Sequence, residues 1–480
     1  MHKIVCSLLC LLGILSCTKP ERSLNLELKH SEEIHFETSK YYLSFALDWA
    51  QIAGGKWWEG SMDFAAGRGG IRAIPFVFDR PKFIELSKNL QPFILRLGGS
   101  ESDSLFYDIN DQYKDEPLPK GFQTRLSKKI WDDIFAYKKK MDMKILMVLN
   151  VGPGYRDKEK KLNIKPIEDF LKSSSEKGYQ IDYFEIGNEI NAFFLNYGWS
   201  GQIFAKQYVK EYLELKQRIK SYYPKAKVMG PANAWWPYIN EPFAFFTAST
   251  EKIAEKLQAD LEVLSWHYYP SQSQRCPVQL VAANQKNMAS RNVWMKIDKA
   301  QNKVHKIAKN NNIQEIWLTE TGPAQCGGEP GVSDHFYSAL WFANHLAYAA
   351  FNQNKVLIRQ TLSGSDYGLL NDNTMQKNPD YYIALTWKNL ISNKVLKTGM
   401  ETEGLYAFCQ KGAPHVIYLF VGDKDRDVNI TLKEASEVLI IDSNNYYKDL
   451  KFSPYNKKIL STNNKSIYFI RNKKQSQLCA

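Results

Sequence analysis

Cysteine is scarce: there are seven in 480 residues, and Cys6 and Cys10 fall within the first sixteen. The others, Cys17, Cys276, Cys326, Cys409 and Cys479, are too few for a disulfide framework and are not spaced as a zinc site. Gly98-Gly99 is followed by no Gly-Lys-Ser/Thr, which excludes a phosphate loop there. Zinc-finger, helix-turn-helix and RNA-binding signatures are missing. No internal repeat, long linker or low-complexity tract appears. The apolar run Ile4 to Leu15 is too short to cross a bilayer as a helix. What is present is globular: 44% hydrophobic, 24% charged and 13% aromatic residues suit a chain that buries a sizeable core. Its length fits an enzyme domain with an accessory domain.

Lys3 precedes the apolar run and Leu15-Ser16-Cys17 ends it. That pattern resembles a bacterial lipoprotein signal peptide, in which residues 1–16 are removed and Cys17 carries the lipid. It implies an exported protein anchored to the cell envelope through lipid; an ordinary secretory signal cut nearby also implies export. The formal charge of +12 favours anionic partners, an acidic polysaccharide or anionic lipid, and export makes nucleic acid the least fitting. Runs such as Lys138-Lys139-Lys140 read equally well as solvated helix faces.

From about Tyr41 to Leu396, β-rich runs alternate with helical patterns, the order of parallel strands joined by helices. Eight strands are expected: Tyr42 to Asp48, Phe93 to Gly98, Lys144 to Asn150, Tyr183 to Ile186, Lys227 to Gly230, Val263 to Tyr268, Glu315 to Thr319 and Leu357 to Leu362. Stretches such as Tyr208, Tyr212, Leu215 and Ile219 mark the helical faces between them; Pro224 closes that helix, and Ser333 is placed to cap another. This is the inventory of an α/β (β/α)₈ barrel over 41–396. Beyond Lys397 the alternating runs Val416 to Val421, Val428 to Leu432, Val438 to Ile441 and Ser466 to Ile470 predict an antiparallel β-sandwich over 397–480. Leu24 to Leu28 and Glu33 to Phe36, within 17–40, are candidates to join it.

In such a barrel the carboxyl ends of the strands face the functional site. Polar groups crowd those ends: Asp48, Arg96 with Gly98-Gly99-Ser100, Asn150, Asn188-Glu189, His267-Tyr268-Tyr269, Glu320 and Asp366-Tyr367. Glu189 and Glu320, after the fourth and seventh strands, can converge over the axis, and paired carboxylates are the equipment of glycoside hydrolysis.

The segments Phe184-Glu185-Ile186-Gly187-Asn188-Glu189 and Trp317-Leu318-Thr319-Glu320-Thr321 resemble the acid/base and nucleophile motifs of the retaining glycosidase clan built on this barrel. Leu95-Arg96-Leu97-Gly98-Gly99-Ser100, Ser265-Trp266-His267-Tyr268-Tyr269, Glu320 through Gly327-Gly328 to Asp334, Asp380-Tyr381-Tyr382 and Lys394-Val395-Leu396 are similar to glycoside hydrolase family 79, the heparanases and β-glucuronidases. The resemblance implies Glu189 as general acid/base and Glu320 as nucleophile, with Asn188 on the sugar 2-hydroxyl and Tyr269 orienting Glu320. It implies a uronate subsite lined by Asp48 and Ser100, with Tyr367 and the N–H groups around Gly327 and Gly328 holding the carboxylate. Cys326 stands where a glycine is expected, a departure that bears on the shape of that turn. Heparanases of the human type carry a long excised linker after the second strand; Tyr107 to Arg125 is short, so no proenzyme block is expected. No cofactor or metal is implied.

The reading is thus a retaining glycosidase that cleaves β-linked glucuronic acid from an acidic glycan such as a heparan-type glycosaminoglycan. Alternatives are a clan relative acting on a neutral xyloside or glucoside, and a non-catalytic glycan-binding lipoprotein. Glu189 must hold a raised pKa, with the negative charge of Glu320 as the expected cause. His267 reads as a donor lining the site, with a core histidine or a zinc ligand as alternatives. Trp57, Trp58, Trp235 and Trp236 are core residues or sugar-stacking platforms. Cys276 and Cys326, in the loops after neighbouring strands six and seven, are either a disulfide or free thiols.

Overall fold

The computed structural model describes residues 24–56, 75–432, 436–463 and 465–480, with three two-residue strands between 62 and 73. The leader, Cys17, Trp57 and Trp58 lie outside the described residues.

Eight parallel strands close into a barrel in chain order: β1 Leu43–Asp48, β2 Phe93–Gly98, β3 Met143–Leu149, β4 Tyr183–Ile186, β5 Lys227–Trp235, β6 Val263–Tyr268, β7 Ile316–Thr321 and β8 Asn354–Arg359. A long helix follows each: α1 Pro81–Lys88, α2 Lys128–Lys138, α3 Lys165–Glu176, α4 Ala205–Tyr222, α5 Thr250–Leu257, α6 Ile297–Asn310, α7 Phe336–Phe351 and α8 Pro379–Leu390. All eight expected strands are present. β8 starts and ends earlier than the apolar run suggests; beyond Arg359 the chain leaves the regular strand, although Leu362 N and the Thr361 hydroxyl still donate to Ala46 O of β1. Ser333 does not cap α7: its hydroxyl accepts from Glu329 N at 2.9 Å, and His335 occupies the cap position. Ser127 and Ser249 do cap α2 and α5, accepting from Ile130 N and Lys252 N.

Ile94, Val148, Met229, Val263, Trp317 and Ile358 fill the barrel interior. Period-two alternation then puts Arg96, Glu185 and His267 on the same inward face, one layer above. Register shifts interrupt β5–β6, β6–β7 and β7–β8 pairing near the mouth. The shift at β6–β7 decides a side chain: counting from inward Trp317 would turn Glu320 outward, but Thr319 is skipped in the register and Glu320 pairs with His267. The bulge therefore aims Glu320 into the barrel.

The second domain is a seven-stranded sheet facing a three-stranded one. Ile34–Glu37 pairs antiparallel with Ile391–Leu396 in the larger sheet, and Leu24–Glu27 pairs with Val428–Thr431 in the smaller one. Two features differ from expectation. The Leu24–Glu27 pairing is parallel, and Ile391–Leu396, read as the end of the barrel, belongs to the larger sheet. Leu26, Leu405, Phe420 and Ile430 fill the space between the sheets, while Phe408, Leu419 and Phe469 on the opposite face join the core that covers α7. That packing explains why α7 is apolar nearly all round. No described helix is long and apolar enough to cross a membrane.

Candidate active site

Arg96 is the centre of the site. Its side chain is fully buried on β2, and its guanidinium donates to Glu185 Oε2, Glu320 Oε2 and Asn188 Oδ1, each at 2.8 Å. A further contact runs from Nη2 to His267 Nε2 at 3.3 Å. Burial opposes its charge, but Glu185 and Glu320 overcome that and raise its pKa further. Glu185 in turn stays ionised: burial acts to raise its pKa, and Arg96 outweighs it to leave the pKa lowered.

Guanidinium nitrogens only donate, so His267 Nε2 is the acceptor and Nδ1 carries the hydrogen. Nδ1 stands 3.1 Å from Glu189 Oε1. Burial pushes the imidazole pKa down to about 4, so the ring is neutral near pH 7. Glu320 Oε1 accepts from the Tyr269 hydroxyl at 2.8 Å, so both of its oxygens have donors. Glu189 follows β4 in a left-handed conformation with φ 53°, its N–H bonded to Ala232 O. Asp103 supports the preceding residue by accepting from Asn188 N and Val151 N. Glu189 lacks a comparable donor set: burial pushes its pKa up to about 7, against the pull of Arg96, and Glu185 adds to the rise. The rise thus comes first from desolvation and then from Glu185, a correction to the expected role of Glu320.

One oxygen of Glu189, one of Glu320 and a ring nitrogen of His267 lie within 4.8 Å of one another. Such a trio has the residue types of a metal site, but Arg96 already supplies a positive charge to it and both Glu320 oxygens are engaged. The expected Asn188, Glu189, His267, Tyr269 and Glu320 are therefore one network. Glu185 and Asp103 were missed; a charged residue inside the four-residue strand Tyr183–Ile186, with Arg96 inside another, was the available signal.

Beside it lies a second group. Asp48, buried at the end of β1, accepts from Gln360 Nε2 at 2.6 Å, and the same amide reaches the Tyr367 hydroxyl at 3.4 Å. Burial, with Glu320 and Glu101 adding to it, raises the Asp48 pKa well above the usual carboxylate range. Gly99 permits this packing, since a Cβ there would meet Asp48 Oδ1 at 2.4 Å. Gly328 does the same for Tyr367, whose backbone N lies 2.8 Å from where its Cβ would be. Ser100 opens the turn Ser100–Ser104, with its carbonyl accepting from Tyr197.

Cys326 is bonded to Cys276, and with φ 60° it adopts the left-handed conformation that a glycine would take. The turn is kept by the covalent tie and by Gly327 O, which accepts from Asp366 N and the Ser365 hydroxyl. Cys409 and Cys479 form a second disulfide, which the small number of cysteines gave no reason to expect. Trp235 is core, 1% exposed, and Trp236 is half-buried.

A (β/α)₈ barrel with two carboxylates meeting at its carboxyl end defines a glycoside hydrolase. The chain belongs to glycosyl hydrolase family 79, whose N-terminal domain matches residues 36–347. It is similar to heparanase-like protein 1 of Arabidopsis thaliana, at 26% identity over 471 residues, covering 91% of this chain and 81% of that protein. Baicalin-beta-D-glucuronidase of Scutellaria baicalensis is 27% identical over 386 residues, covering 72% of this chain and 68% of that one. Among solved structures, a 4-O-alpha-L-rhamnosyl-beta-D-glucuronidase from Fusarium oxysporum superposes with a TM-score of 0.62 over 93% of this chain and 100% of that one; at 13% identity the likeness is one of fold. The chain is a heparanase- and β-glucuronidase-like glycoside hydrolase.

Proposed function

We propose that this enzyme hydrolyses β-linked glucuronosides with retention, Glu320 acting as nucleophile and Glu189 as general acid/base. The observation that carries the mechanism is the approach of the two carboxylates to within 4.8 Å, with only Glu320 fully supplied with donors. Retaining pairs sit about 5 to 5.5 Å apart, whereas inverting pairs need about 6.5 to 9.5 Å to admit a water.

The roles follow from charge. Arg96 and Tyr269 hold Glu320 ready to attack the anomeric carbon. With its pKa pushed up to about 7, Glu189 holds its proton below that pH; His267 Nδ1–H donates to Oε1, which leaves Oε2 to carry the proton to the departing oxygen. The glycosyl–Glu320 ester then forms as that bond breaks. Ionised Glu189 next takes a proton from water, which attacks the same carbon and releases Glu320. The Asn188 amide nitrogen remains available to the sugar 2-hydroxyl, because Arg96 occupies only Oδ1.

Specificity for a uronate rests on the second group. Burial, with Glu320 and Glu101 adding to it, raises the Asp48 pKa and so favours the neutral form, which lessens repulsion toward a substrate carboxylate, and the Tyr367 hydroxyl is a donor. Among the described residues, the backbone N–H groups of Gly327 and Gly328 donate to no acceptor, so both can serve a carboxylate. Hydrolysis of aryl β-glucuronide and β-glucoside, with the first-formed anomer read by NMR, tests both parts: slow glucuronide turnover refutes the specificity, and an α-anomer refutes retention. The Leu15-Ser16-Cys17 leader supports an exported, lipid-anchored enzyme, and two disulfides suit an oxidising compartment. Palmitate labelling that persists in Cys17→Ser would refute the anchor.

A further inference from the structure

The loops after β4 and β5 expose Trp199, Phe204, Tyr238, Phe243, Phe245 and Phe246, each at least half exposed. Single exposed aromatics are ordinary, but these are joined: Phe194 stacks on Trp199 at 4.8 Å and meets Phe243 edge-on at 5.4 Å, tying one loop to the other. Phe245 and Phe246 pack at 4.4 Å. Charge is nearly absent. Ile190 to Phe204 contains no Asp, Glu, Lys or Arg in a chain that is 24% charged. Between Pro231 and Thr250 the one such residue is Glu241, which is 4% exposed and accepts from Asn233 and Thr250. Lys296, at the start of α6, stands over the Tyr238 ring at 4.5 Å and marks the edge of the surface.

Position gives this surface a use. The group built for a substrate carboxylate comes from β1, β7 and β8, and β4 and β5 lie across the barrel from β8 and β1. Glu189 opens the β4 loop, so a leaving group protonated by it departs toward the aromatic side. We propose that this surface is the leaving-group subsite and that it accepts a flat, uncharged group, either an aromatic aglycone or the apolar face of a neutral sugar. A sulfated residue would bring anionic groups to loops that carry no Lys or Arg of their own; the cations that reach them, Lys296 over Tyr238 and Lys252 donating to Phe245 O, come from neighbouring helices and are already engaged there. This rests on the roles given above to Glu189 and Glu320 and narrows the substrate class away from a sulfated glycan on that side.

The test compares leaving groups on a common glycone. Wild-type kcat/KM is measured for naphthyl β-glucuronide and its naphthyl-sulfonate analogue, and for glucuronosyl disaccharides with neutral and sulfated reducing-end sugars. We expect sulfonation or sulfation to cost tenfold or more; equal or faster turnover of the charged members overturns the proposal. The aryl and disaccharide pairs show which flat group is preferred. In Trp199→Ala and Phe243→Ala, the ratio of kcat/KM for the naphthyl glycoside to that for β-glucuronosyl fluoride, which has no leaving group to stack, should fall at least fivefold; an unchanged ratio also overturns it. If the protein prefers glucosides, the same ratios are read on the glucoside series. The uronate assignment then fails while the subsite stands or falls on its own.

Discussion

The neutral ring of His267 stands beside both glutamates, its Nδ1 3.1 Å from Glu189 Oε1 and 3.9 Å from Glu320 Oε2. Because Arg96 engages Nε2, the hydrogen sits on the side facing the carboxylates, and the two acids become chemically unequal. Unequal roles should fail unequally. Glu320→Ala should abolish turnover of every glycoside. Glu189→Ala should lose about 10² to 10⁴ in kcat on poor leaving groups and much less on activated aryl ones, and azide should restore it to give the β-azide. Equal losses on both leaving-group classes would count against the assignment.

The pH profile follows from the same inequality. As the proposed general acid, Glu189 must be protonated to act, and its pKa is pushed up to about 7, so kcat/KM should fall as pH rises through about 7, approaching tenfold per unit. Glu185 contributes to that elevation. Removing its charge in Glu185→Gln lowers the Glu189 pKa, and the alkaline limb should shift to lower pH, a change that a merely structural loss would not produce. A profile measured on glucuronosyl fluoride, which needs no acid, should lack this limb.

Much of this was legible beforehand, for identifiable reasons. Strands buried on both faces are written as short apolar runs, so the barrel could be counted, and the charged residues at the strand ends marked its mouth. Glu185 escaped because a residue inside a strand reads as structure until its partner is known; only the sheet order, which sets β2 and β4 on either side of β3, brings Arg96 to it. The inward turn of Glu320 depends on the bulge at Thr319, which has no sequence mark. The pKa of Glu189 was expected to rise from a neighbouring charge, but burial dominates, and burial is a property of the assembled loops. The second disulfide joins a strand of the sandwich to the end of the chain, a contact with no local signal.

The Cys276–Cys326 bond ties the loops after β6 and β7, and Arg275 adds ties to Gly328 O and Asp366. Without it, Cys326 loses the constraint that keeps a side-chain-bearing residue at φ 60°. Cys276→Ser with Cys326→Ser should raise KM for a glucuronide about tenfold while changing hydrolysis of the matching glucoside little. Closing a loop of separation 50 stabilises by up to ~4 kcal/mol in the chain-entropy picture, so thermal unfolding should be followed in parallel to confirm that the assayed protein is folded.

Discrimination between uronate and neutral sugar is the most exacting test of the second group. A buried carboxylate needs donors in place before it arrives, and a neutral hydroxymethyl group in the same position leaves those donors unpaired. In the proposed uronate subsite the donors are the Tyr367 hydroxyl, the N–H groups of Gly327 and Gly328, and Asp48, whose raised pKa favours its protonated form. An aryl β-glucuronide should therefore be hydrolysed much faster than the matching β-glucoside. Tyr367→Phe should narrow the gap by about 1 to 3 kcal/mol, the scale of a hydrogen bond to a charged group, mainly by slowing the glucuronide. Asp48→Asn keeps a donor and removes the proton that titrates, so it should preserve most of the preference while flattening any loss of it at high pH. Faster glucoside than glucuronide hydrolysis by the unmodified enzyme would overturn the uronate assignment and leave the two-glutamate mechanism in place.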